Sequence, residues 1–215
     1  SLIALKTRRP LEAGLKRHIV ATLGTKSASQ AKINTVRYAD DFVVTGDSKE
    51  LLENVVQPWI VQFLRERGLM FSDEKTRIVH IDDGFEFLGW NFRKYGGKML
   101  IKPSKKNVQT FYGKVRDIIA GSLSVPKELL IKRLNPVLRG WAEYHKGVVA
   151  KATFTTLDNQ IYWRLMRWGL RRHPRKTEKW VLNHYWQHPG TRWDFAATSR
   201  HNKGKQVRSA LYRLA

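Results

Sequence analysis

The chain has 215 residues, 42% of them hydrophobic, enough for one large domain or two small ones with real cores, which excludes global disorder. It has no cysteine, which excludes disulfides and thiolate metal sites, and no apolar run near the ~20 residues of a membrane span. The formal charge of +22 is uneven: residues 1–102 hold 17 Lys and Arg against 12 Asp and Glu, residues 103–215 hold 23 against 6 with six of the eight Trp, and that balance points to a polyanionic partner.

Leu11, Leu15 and Ile19 recur every four residues, a helix-like spacing. Lys32–Tyr38 and Phe42–Thr45 are β-prone, and the adjacent acids Asp40 and Asp41 lie between them, so a strand, a tight turn and a strand are expected. Asp is common in turns because it tolerates their geometry. Two adjacent carboxylates also repel, and a bound cation relieves that repulsion. Magnesium takes oxygen ligands and needs only one or two carboxylates when substrate phosphates complete its shell. Two such ions can clamp both oxygens of a phosphoryl transfer.

Asp47 is placed to cap a helix, with Glu50 closing a capping box. The pairs Leu51/Leu52, Val55/Val56, Trp59/Ile60 and Phe63/Leu64 build one wide apolar face. Pro58 should kink or split that helix, and Gly68 suits its end. Lys75 follows Asp73 and Glu74 at a turn before the strand-like Arg77–Ile81. It reads either as a surface charge pair or as a cation beside a triphosphate. Asp82-Asp83-Gly84 reads as a plain turn. Phe85–Phe92 reads as one strand, with a turn at Tyr95–Lys98 and a return through Met99–Ile101. Gly89 in that strand allows close approach of another backbone or of a nucleic-acid strand, or marks a bulge.

From Pro103 the period becomes helical, and a domain boundary is expected there. Ser104 can cap a helix carrying Val108, Phe111, Tyr112, Val115, Ile118 and Ile119, ended by Gly121. A second opens at Pro126 and carries Leu129, Leu130 and Leu134; Asn135-Pro136 interrupts it before Val137, Leu138, Trp141 and Tyr144. A third runs through Leu157, Ile161, Leu165 and Trp168. Three such helices suit a small bundle. Most of the Trp are expected in its core. Lys132, Arg133, Arg139 and Lys146 fall on the second helical region, and Arg164, Arg167, Arg171 and Arg172 on the third. Singly each reads as a solvated charge; together they read as an RNA groove, since A-form RNA is recognised through backbone and shape. His184 and His188 have a zinc-like spacing but no third ligand, so zinc is not expected. Ser199–Ala215 is basic and reads as a flexible tail or the start of a DNA-binding segment. The fold class is α+β.

Several short segments occur in an order that one family shares. They are Val36-Arg37-Tyr38-Ala39-Asp40-Asp41-Phe42, Arg67-Gly68-Leu69, Glu74-Lys75-Thr76 and Phe85-Glu86-Phe87-Leu88-Gly89-Trp90. Leu134-Asn135-Pro136-Val137-Leu138-Arg139-Gly140-Trp141 and Arg171-Arg172-His173-Pro174 follow. Over residues 11 to about 190 the chain resembles the C-terminal part of a group II intron-encoded reverse transcriptase, or maturase. The resemblance implies a partial polymerase palm over 1–102, made of antiparallel hairpins with a packed helix. It implies an all-helical thumb or maturase domain over 103–190 and a basic tail over 191–215. It assigns Asp40 as principal ligand of catalytic Mg2+ and Asp41 as its support. Tyr38 and Ala39 would lie near the primer end, Lys75 near the incoming triphosphate, and Gly89 and Trp90 in a hairpin gripping the primer. The implied reaction is magnesium-dependent attack of a primer 3′-hydroxyl on a deoxynucleotide triphosphate. Implied partners are intron and template RNA and a DNA primer or target, in a prokaryotic cytoplasm or an organellar matrix.

One part of the family pattern is absent. The palm takes another carboxylate from an earlier strand, yet residues 1–39 hold a single acid, Glu12, in the helix-like stretch. The fingers and first palm strands are not matched either, so an N-terminal half is an expected partner. The chain alone is expected to make no DNA. The alternative is a non-catalytic RNA-binding maturase module or a degraded remnant; a magnesium-dependent nuclease is a weaker third reading. RNA affinity is expected to fall steeply with added salt in a filter-binding titration, and a flat salt profile would contradict the polyanion grip.

Overall fold

The computed structural model describes residues 2–6, 21, 32–38, 41–68, 70, 76–190, 193–200 and 206–215. It divides into two units, Ser1–Leu100 and Ile101–Ala215. Helices and antiparallel hairpins together make an α+β protein.

In the first unit, β2 (Asn34–Tyr38) and β3 (Asp41–Thr45) pair antiparallel from Asn34↔Thr45 to Tyr38↔Asp41, so only two residues connect them. On its other side β3 pairs with β1 (Leu2–Lys6), which in turn pairs with β4 (Arg77–Val79). Alternation along β3 sends Phe42 and Val44 to one face. There they are buried with Leu52, Val56, Ile60, Phe63 and Leu64. Those residues come from α1 (Lys49–Leu51), a π-helical turn (Leu52–Val56) and α2 (Gln57–Arg65). Leu51, Leu52, Val56 and Gln57 all keep right-handed helical φ and ψ, so the chain does not break before Pro58; the π turn leads directly into it. The cap differs from the expected Asp47. Ser48 is the extended residue, and its Oγ accepts from the Leu51 N–H at 3.2 Å.

A second sheet joins β5 (Phe85–Phe87), β6 (Trp90–Tyr95) and β7 (Lys98–Pro103). The single strand expected over 85–92 is broken at Leu88-Gly89. Both residues have positive φ, 51° and 77°, and Phe87 faces Trp90 across the turn. Two left-handed residues match the twist of the flanking strands. The conformational freedom of Gly89 therefore serves a turn, not a bulge within a strand.

The second unit is built on α3 (Lys105–Ala120), α4 (Lys127–His145), α5 (Lys151–Arg172) and α6 (Glu178–Tyr185). Ser104 caps α3 and Gly121 closes it. Pro136 does not interrupt α4, which runs through it for 19 residues. Leu130, Leu134, Leu138 and Ala142 are buried at four-residue steps, and this packing outweighs the proline's local cost. Asn135, beside it, donates to the Ala210 carbonyl at 2.9 Å and accepts from the Tyr212 N–H at 2.8 Å.

That tie belongs to a feature the sequence reading missed. The unit is not all-helical, and its end is not a tail. β8 (Trp186–Gln187), β9 (Asp194–Arg200) and β10 (Gln206–Ala210) form a three-stranded antiparallel sheet. Phe195, Ala197 and Leu214 are buried in the helical core. Arg208 and Arg213 pair with Asp194 at 3.0 and 3.4 Å. The Asp158 carboxylate accepts from the N–H groups of Leu214 and Ala215 at 3.0 Å each.

Two other features set the packing. A Cβ at Gly169 would lie 2.4 Å from Val181 Cγ1, so α5 and α6 touch closely there. Within the core, Asn107 Oδ1 accepts from Trp141 Nε1 at 2.7 Å and lies 3.1 Å from His145 Nε2. His145 is fully buried, and burial pushes its imidazole down to about 4.

Candidate functional site

The hairpin of β2 and β3 has two faces. Phe42 and Val44 point at the helix; Asp41, Val43 and Thr45 share the other face with their partners Tyr38, Val36 and Asn34. Tyr38 is 63% exposed beside the turn, and Asp41 is half-buried. Ala39, Asp40 and Lys75 lie outside the described residues. On this same face Val36 and Val43 line an apolar cleft of about 530 Å³ with Phe87, Leu88, Trp90 and Phe92. Phe85 and Phe92, directly paired across β5 and β6, stack at 5.1 Å. Trp90 therefore shares a cleft with the hairpin that carries Asp41, while Gly89 turns the chain behind it. The cleft has no simple sequence signature, because one of its walls depends on the unexpected turn at Leu88.

The strand flanking β3 carries no acid. The register position across from Asp41 is Lys6. The described residues hold no group of three or more His, Cys, Asp or Glu that could take a metal. The carboxylates of the turn are nonetheless hard oxygen donors, and magnesium needs only one or two of them. Their donor chemistry fits magnesium; the third carboxylate of the family's palm is not supplied by β1.

In the second unit the eight basic candidates separate by what they touch. Arg172 donates to the carbonyls of Leu123 (2.9 Å) and Val125, and its guanidinium lies 4.8 Å from the Trp168 ring centroid. Arg133 donates to Ser122 Oγ at 3.2 Å. Both fasten the connection before α4 to the helices. Lys146 pairs with Glu143, which raises its ammonium above the usual lysine value. Lys132 and Arg139 line an open groove with Asn135 and Ser209, and Arg139 lies 5.4 Å from the Tyr212 ring. Arg164, Arg167 and Arg171 lie on α5 and border a small hollow with Leu123. His184 and His188 are not on one helix, because α6 ends at Tyr185. His184 instead stacks on Trp180 at 4.5 Å and is held below its ordinary value by burial and then by Lys127.

Two families match this chain in succession. Residues 13–92 match reverse transcriptase (RNA-dependent DNA polymerase), and residues 108–186 match the group II intron maturase-specific domain. The chain belongs to the family of group II intron-encoded reverse transcriptases and maturases. It is 32% identical over 119 residues to maturase-like protein 1 of Euglena gracilis, covering 53% of this chain and 25% of that protein. It is 24% identical over 151 residues to the group II intron-encoded protein LtrA of Lactococcus lactis subsp. cremoris, covering 69% of this chain and 25% of that protein. The chain thus spans about a quarter of the length of these relatives. No described helix is long and apolar enough to cross a membrane.

Proposed function

We propose that these residues are the later palm and the thumb or maturase portion of an RNA-directed DNA polymerase that also assists intron splicing by binding intron RNA. The observation carrying this reading is the two-residue connection between β2 and β3, with Tyr38 and Asp41 facing each other at its base. Asp41 stands at the base of that connection, directly after Asp40 in the sequence. In this reading Asp40 and Asp41 hold Mg2+, Tyr38 and Ala39 border the primer end, Lys75 offsets triphosphate charge, and Gly89-Trp90 contacts the primer strand. Magnesium, when bound, supplies charge compensation for the primer hydroxyl and the triphosphate. The second unit holds RNA through the cations that its own fold leaves exposed.

A non-catalytic RNA-binding module is the second reading, and the lysine at the register position across from Asp41 favours it. The two separate in a complementation assay. The 215 residues alone are expected to give no primer extension on an RNA template with magnesium. Supplying fingers and first palm strands from a relative should restore synthesis, and Asp40→Asn should remove it by at least a hundredfold. RNA binding without any restored synthesis would select the non-catalytic reading. Robust synthesis by the isolated chain would refute the role given to the missing carboxylate.

A further inference from the structure

Trp163 is the more exposed of two exposed tryptophans in the second unit, the other being Trp193 at 39%. Trp168 and Trp186 are buried, as a core role requires, but Trp163 is 46% exposed on α5. Its ring is held from one side: the Tyr162 ring meets it edge-on at 5.3 Å and 83°, and Tyr162 itself packs against the core and Trp186. At the spacing of an α-helix, Trp163, Arg164, Arg167 and Arg171 fall within an arc of about 100°. Arg167 stands one turn from Trp163, and Arg171 stands two turns away. None of these three arginines makes an ion pair with a described residue, whereas Arg172, just beyond, is bound to carbonyls. The arc therefore offers one exposed aromatic ring in edge contact with Tyr162 and three guanidinium groups with no ion pair to a described residue.

We propose that this face of α5 binds an unpaired nucleotide of RNA, with the base stacked on Trp163 and the adjoining phosphates held by Arg164, Arg167 and Arg171. The inference rests on the RNA-binding reading above and narrows it to a class of RNA. A paired duplex covers the faces of its bases and offers phosphates and grooves, for which a tryptophan is of little use. An unstacked base offers a π-face that any aromatic ring can take, while arginines track the backbone. The charge of the surface selects a polyanion, and the ring selects a single-stranded one.

The test compares a blunt RNA duplex with the same duplex carrying a short single-stranded purine extension, by fluorescence anisotropy with the 215-residue chain. Trp163→Ala should weaken binding to the extended RNA about tenfold and leave blunt-duplex binding unchanged. Trp163→Phe should retain most of the affinity. Arg167→Ala should weaken binding to the extended RNA and lower its salt slope by about one. A wild-type chain that binds RNA while Trp163→Ala matches it on the extended RNA overturns the proposal and leaves the RNA-binding reading intact. So does an equal loss on both RNAs. A wild-type chain that binds neither RNA removes the underlying reading as well. Trp163→Phe and Arg167→Ala keep the question answerable if the alanine variant at Trp163 folds poorly.

Discussion

Gly169→Ala is expected to destabilise the second unit by about 2 kcal/mol, the usual range for forcing extra volume into a packed interface. The sign is informative. Gly169 lies within α5, and alanine in a helix interior is ordinarily better than glycine by about 0.5–1 kcal/mol. Here the added methyl would meet Val181 Cγ1 at 2.4 Å and the Tyr185 ring at 3.5 Å. Val181 is fully buried and has no room to swing aside. Val181→Ala alone should cost about 1–2 kcal/mol through its cavity. The double variant should be no less stable than Gly169→Ala, because each change makes room for the other. Urea denaturation followed by tryptophan fluorescence gives all four values. A Gly169→Ala chain as stable as the parent would show that α5 and α6 do not approach as described.

The second large effect is one of pH. His145 is neutral in the folded unit, with Nε2–H donating to Asn107 Oδ1 and burial holding its value near 4, against about 6.5 when unfolded. The unfolded chain therefore takes up a proton first. The contribution is fully present above about pH 6.5 and is lost as pH falls toward about 4. At pH 4.5 the folded unit should have lost about 2 kcal/mol from this group alone. His145→Gln keeps a donor but cannot titrate. Its stability difference from the parent should shrink by that amount between pH 7 and pH 4.5, which separates His145 from the acidic groups that titrate in both proteins. A pH-independent difference would show that His145 is solvated and titrates alike in the folded and unfolded chains.

Much of the helical unit was legible in advance. Leu157, Ile161, Leu165 and Trp168 mark α5 by spacing alone, and Ser104 and Gly121 bracket α3 by capping chemistry. The hairpin around Asp40 and Asp41 was legible because β-prone residues flank a turn-tolerant pair. The turn at Leu88 was not, since leucine carries no propensity for positive φ. Pro136 misled, because a local penalty says nothing about the core contacts that override it. The terminal sheet was hidden by its own basic residues and by β8, a strand of only two residues. The basic character of the second unit was legible only as a sum. A count of charges cannot tell Arg172, spent on two carbonyls, from Arg167, which faces solvent.

Leu88 leaves one consequence. Leucine in the left-handed region costs roughly 1–2 kcal/mol, and asparagine or glycine would close the same hairpin more comfortably. Its side chain forms part of the wall of the aromatic cleft next to Trp90. The tip of this hairpin is thus a strained clip: the backbone is held in an awkward shape to present a greasy surface, and loosening the clip would reshape the hollow before it unfolded the sheet.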